Sequence, residues 1–172
     1  QNIDGLWGAT YISSFDFLKD TNDNFEGLAC IEKAGQEYYI LLGERGEGEK
    51  NELGKGKILW AIISLGVVNG IKQEPFKTQE FSTPDPPKNK KQYKDFRNIS
   101  DLYIAKDNTI WISSAYDPGN SGPYYSKIHK LGTVHPYNIP PIDLTLQKSC
   151  HVEGLKIEAL DSSWNEDIEL SI

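Results

Sequence analysis

The sequence predicts an all-β protein, and three observations carry that prediction. No long apolar stripe of 3.6-residue period flanked by helix caps occurs in the 172 residues. Short runs rich in β-branched and aromatic residues occur instead, separated by Gly, Asn and Asp. The runs also recur in the same order with similar turns between them, the mark of a repeat architecture. At 172 residues and 38% hydrophobic composition the chain suffices for one domain with its own core.

In chain order the expected strands are LWGATYISSF (6–15), LACIEK (28–33), EYYILLG (37–43) and KILWAIISLG (57–66), then LYIAK (102–106) and TIWISSAY (109–116). YSKIHKLG (125–132), LKIEAL (155–160) and DIELSI (167–172) complete the set. The connectors AGQE and KDNT place Gly, Asn and Asp where tight hairpins need positive φ. One segment breaks the rhythm. Residues 72–98 hold four of the nine prolines and the lysines Lys88, Lys90, Lys91 and Lys94. That composition predicts a long surface insertion inside a single domain spanning residues 1–172.

The repeat becomes visible when Phe25-Glu26-Gly27-Leu28, Ile99-Ser100-Asp101-Leu102 and Val152-Glu153-Gly154-Leu155 are laid side by side. Each leads into a short strand, a turn and a second strand. In the first two copies the second strand ends on an acid, Glu44 or Asp117, before a Gly-rich loop, and a third strand closes on Leu-Gly. Three antiparallel strands per unit describe the inner part of a β-propeller blade, whose neighbours bury each other's faces. A carboxylate at the start of the innermost strand and another at the end of its hairpin partner would lie at one end of a central channel. The alternative is a β-sandwich.

The Glu-Gly-Leu entrance followed by a hairpin ending in Glu-Arg-Gly resembles the blades of the esterase-like phytase and SdiA-regulated β-propeller families, and also the entrance of gluconolactonase-type propellers. The resemblance runs from about Phe25 to the C-terminus, outside 72–98. In those families such a carboxylate faces the channel near a bound calcium or other divalent ion. The resemblance therefore implies a calcium-binding propeller with phosphoesterase or esterase activity. The middle copy departs from it with Ser100-Asp101, and the third copy ends before its acid. Two and a half blades do not close a ring, so another chain or a missing segment is expected to complete it.

Glu26 and Glu153 lead the candidate metal ligands, with Asp101, Glu44 and Asp117 behind them. Carboxylate oxygens in number suit calcium, whereas the scattered His129, His135 and His151 do not offer zinc spacing. For catalysis, His151 is the candidate general base and Arg45 the clamp for an anionic small-molecule substrate. No Gly-x-Ser-x-Gly elbow, P-loop or Gly-x-Gly-x-x-Gly stretch occurs. The competing reading is a non-catalytic platform for protein, peptide or glycan, because the loop DPGNSGPYY (117–125) sets two tyrosines on a Gly/Pro scaffold.

A net charge of −7 argues against nucleic-acid partners, which require clustered cations. No apolar run reaches the ~20 residues of a membrane-spanning helix. The sequence contains no Met, so processing is expected, and a removed secretory signal would place the protein in an extracellular or periplasmic compartment. Cys30 and Cys150 fit either one disulfide or two thiols, and Asn98-Ile99-Ser100 matches a glycosylation sequon.

Overall fold

A computed structural model of the chain describes residues 24–46, 55–66, 70–82, 95–120, 122–145, 148–162 and 168–171. It is all-β, with antiparallel pairing throughout the described residues. The expected strand at 6–15 and the lysines Lys88, Lys90, Lys91 and Lys94 lie outside the described residues.

The first sheet is a meander of β1 (Phe25–Ala34), β2 (Glu37–Glu44) and β3 (Lys55–Gly66). Two shorter strands share the far edge of β3. Strand β4 (Gly70–Gln73) pairs with its last residues, and β5 (Lys77–Ser82) with Lys55 to Trp60. The tight turn between β1 and β2 is the AGQE connector. Ala34 pairs with Glu37, and Gly35 takes φ +63°, which a residue without Cβ adopts freely.

The second sheet repeats this plan. Strands β6 (Phe96–Ile104), β7 (Thr109–Tyr116) and β8 (Tyr125–Val134) form the meander, and β9 (Ile142–Asp143) and β10 (Lys148–Glu153) share the far edge of β8. The KDNT turn holds Asn108 at φ +64°, and the Asp107 carboxylate accepts hydrogen bonds from the Thr109 N–H and hydroxyl at 2.9 and 2.8 Å. Those bonds hold the Asp107 carboxyl below its usual range. A third sheet, β11 (Ala159–Ser162) with β12 (Ile168–Ser171), packs against β6 and β7.

Two expectations change. The stretch 72–98 is not a continuous surface loop: it contains β5, with Phe81 buried, and the first residues of β6. Phe81 is an isolated apolar residue among polar ones, so periodicity gives no strand signal there. Val152 and Glu153 do not begin a third unit, because they end β10 at the outer edge of the second sheet.

The main core lies between the first two sheets. Tyr39, Leu41, Ile58, Trp60 and Ile62 from the first face Ile99, Leu102, Ile110, Ile112 and Leu131 from the second. Each such side chain contributes ~1.5–3 kcal/mol by leaving water. The sheets meet through their first strands, and Gly27 sets the closeness of that contact. A Cβ added there would stand 2.7 Å from the Leu102 Cβ and 2.8 Å from its backbone nitrogen. A smaller core, Ile128, Ile157 and Leu160 with Tyr103 and Trp111 packed against it, joins the second sheet to the third.

Candidate functional site

The starts of β1 and β6, the ends of β2 and β7, and the approach to β11 come together at one end of the molecule. Backbone bonds fasten them: Arg45 N–H donates to the Asn24 carbonyl at 2.7 Å, and Asn98 N–H donates to the Arg45 carbonyl at 2.9 Å. Asp117 N–H donates to the Asp95 carbonyl at 2.7 Å. Phe25 pairs with Glu44 and Phe96 with Tyr116, so the two hairpins close at equivalent points.

Six charged side chains meet there. Arg97 Nη1 donates to both carboxylate oxygens of Glu26 at 2.7 Å, and Nη2 donates to Asp117 Oδ2. Lys156 Nζ lies 2.8 Å from Asp117 and also contacts Glu158, and Arg45 Nη1 lies 3.3 Å from Glu26. Three anions thus face three cations. The Arg97 and Asp117 side chains are each 13% exposed, so their attraction is weakly screened. Burial pushes the Asp117 carboxyl up, but Lys156, the Gly119 N–H and Arg97 outweigh it and hold it below the usual carboxylate range.

Of the five expected carboxylates, Glu26 and Asp117 stand together at this end, each beside a cation. The other candidates lie elsewhere. Glu44 is buried and pairs with Lys57 at 3.4 Å. Asp101 accepts the Leu160 N–H at 2.6 Å, tying β11 to β6, and burial raises its carboxyl against that bond. Glu153 is exposed, opposite Tyr125 on β8. Among the described residues no group of three His, Cys, Asp or Glu stands where it would hold a metal ion.

Beside the charged cluster runs an aromatic row. Tyr116 at the end of β7 stacks on Tyr125 at the start of β8, with ring centroids 5.2 Å apart and planes at 22°. His151 on β10 meets Tyr125 edge-on at 5.6 Å. Tyr116 is buried, Tyr125 half-buried and His151 exposed, so the row climbs from core to surface. The loop between β7 and β8 is braced beside it. Tyr124 donates its hydroxyl proton to the Gly119 carbonyl, and Gly119 N–H donates to Asp117 Oδ1 at 3.3 Å. His151 is thus a member of an aromatic row, on a different strand edge from Arg45.

Arg97, Lys156 and Glu158 were missed by the sequence reading. A signal for Arg97 was present: Asn24-Phe25-Glu26 and Asp95-Phe96-Arg97 align on their phenylalanines as the register does, three residues away from the leucine-based alignment. Between Arg97 and Asp101 four residue steps along β6 pass against two along β7, a bulge of two extra residues that contributes to this offset. For Lys156 and Glu158 no local pattern marks the role.

Asn98 of the sequon is 3% exposed, and its Nδ2 donates to the Lys55 carbonyl at 3.0 Å. Cys30 and Cys150 are free cysteines, both exposed, on different sheets, and partial desolvation by its neighbours pushes the Cys30 thiol up. Among the described residues no helix is long and apolar enough to cross a membrane. Comparison of the chain with protein families, curated proteins and solved structures found no match.

Proposed function

We propose that the chain supplies blades of a β-propeller and works as a binding platform, with the β7–β8 loop and the Tyr116–Tyr125–His151 row as its recognition surface. Support for the blades comes from two meanders of the same plan meeting through their first strands, with a third sheet on β6. The observation that carries the platform reading is the row itself: stacked aromatics that surface beside a loop braced by its own hydrogen bonds. Rigid aromatic contacts lose little conformational entropy on binding, and they suit peptide or glycan ligands. Glu26 and Asp117 fit a supporting role, since Arg97 of β6 neutralises both and Lys156, before β11, also pairs with Asp117.

The test is binding of the purified chain to peptide and glycan arrays, alongside Tyr125→Ala and His151→Ala. Ligands held by the parent and lost by both variants support the platform. Parent ligands that both variants retain, or no ligand at all, would count against it.

One observation favours the calcium-dependent hydrolase as a second reading: Glu26 and Asp117, from different sheets, converge on a single point at Arg97. A calcium ion there would have to displace the guanidinium. Calcium added to chelator-treated protein would then raise the melting temperature, and Glu26→Ala would abolish the rise whereas Glu153→Ala would not. That result would justify screening phosphoester and ester substrates. An unchanged melting temperature removes this reading.

A further inference from the structure

Residues 154–160 leave β10 and enter β11, and groups of the second sheet and its loop hold their backbone at four points. Gly154 N–H donates to the Tyr124 carbonyl at 2.9 Å. The Ser126 hydroxyl donates to the Leu155 carbonyl at 3.1 Å and accepts the Ile157 N–H at 2.8 Å. Asp101 Oδ2 accepts the Leu160 N–H at 2.6 Å. Ser126 and Ile157 are fully buried, so the bonds between them form away from water, where leaving them unmade is costly. Ile157 and Leu160 pack with Ile128 in the smaller core. The connection is therefore a strap fixed to the sheet.

The strap also grips the β7–β8 loop at both of its ends. Lys156 Nζ pairs with Asp117 Oδ2 at 2.8 Å, and Gly154 N–H holds Tyr124. Those two loop residues meet again at Gly119, whose N–H donates to Asp117 Oδ1 at 3.3 Å and whose carbonyl accepts the Tyr124 hydroxyl. A closed ring of contacts results, from Gly119 through Asp117, Lys156, Gly154 and Tyr124 back to Gly119. Both bonds at Gly119 are exposed and weak on their own. The strap side of the ring is anchored in a core, so order passes from the strap to the loop. Arg97 donates to the same Asp117 oxygen from β6, and Lys156 supplies the second direction that closes the ring. We infer that Lys156 is a positioning residue for the recognition surface, holding the β7–β8 loop in one conformation beside the Tyr116–Tyr125–His151 row. The role of the loop rests on the platform reading. A loop ordered in advance spares its ligand the entropy of ordering it.

The test is backbone amide relaxation by NMR on the full chain, without ligand, in the parent and in Lys156→Met, Lys156→Arg and Ser126→Ala. Methionine keeps most of the stem and removes the charge. In the parent the Gly119 and Asn120 amides should show order parameters near those of rigid backbone, about 0.85. In Lys156→Met they should fall below about 0.6, with β7 and β8 unchanged. Lys156→Arg keeps the charge and should restore the order. Ser126→Ala removes two strap bonds and no loop side chain, and it should loosen the same amides. Loop amides as ordered in Lys156→Met as in the parent would overturn the inference, since Arg97 would then suffice. A parent loop already below about 0.6 would overturn it as well. The measurement needs no ligand, so its failure and the failure of the platform on the arrays are separate results.

Discussion

Arg97→Ala removes the centre of the charged cluster and tests whether that cluster joins the sheets. Arg97 makes two bonds to Glu26 and one to Asp117, and the two acids come from different sheets. Breaking a fully buried ion pair costs about 3–5 kcal/mol, and an exposed one about 0–1. Arg97 and Asp117 are each 13% exposed and Glu26 21%, which places the cost near the buried end. Each acid also keeps one cation, Arg45 at 3.3 Å and Lys156 at 2.8 Å, which softens the loss. We expect a cost of about 2–3 kcal/mol, or roughly 5–10 °C in melting temperature for a chain of this size. Arg97→Lys, which keeps the charge and loses the fork, should cost about half as much.

The pH dependence has a definite sign. The Asp117 carboxyl is held below its ordinary value of 3.8 in the folded chain, so its contribution is present above that value and lost as pH falls through the folded pKa. The gap between the parent and Arg97→Ala should therefore narrow below about pH 4, in urea unfolding followed by tryptophan fluorescence. A variant within ~0.5 kcal/mol of the parent at pH 7, or a gap that widens in acid, would refute the argument.

Three further outcomes are expected. Gly27→Ala should destabilise by roughly 1–3 kcal/mol or more in the same unfolding assay, because the added methyl meets Leu102 backbone at 2.8 Å. A cost near zero would mean β1 and β6 are not so closely apposed. Folded protein secreted from a glycosylating host should carry no glycan at Asn98, as intact mass before and after glycosidase treatment would show, since its amide is buried against Lys55. Both Cys30 and Cys150 should react with a thiol reagent without denaturant, whereas absence of any native thiol would point to a disulfide.

Strands and turns were legible because their signals are local. The short apolar runs LACIEK and EYYILLG, the glycine of AGQE and the asparagine of KDNT each act within a few residues, and the structure places hairpins at both turns. The recurring meander was legible for the same reason, with Leu65-Gly66 and Leu131-Gly132 near the ends of β3 and β8. Less legible was β5, whose pairing with β3 supplies what its polar sequence does not advertise. Tertiary packing overrides weak strand propensity at such an edge.

Glu26 was identifiable as the acid at a hairpin's entrance and Asp117 as the acid at a hairpin's exit, but not their partners. Glu26 and Arg97 are 71 residues apart, and no periodicity spans that distance. The sequence by itself determined an all-β chain with repeated hairpins, since side-chain alternation and turn stereochemistry operate over neighbouring residues. Only the tertiary structure decided that Arg97 and Lys156 stand among the acids, and that Glu153 and His151 belong to an outer strand. The physical reason is register: which ends meet depends on how whole sheets pack, and a bulge of two extra residues such as that in β6 helps to set a guanidinium where the first hairpin has a carboxylate.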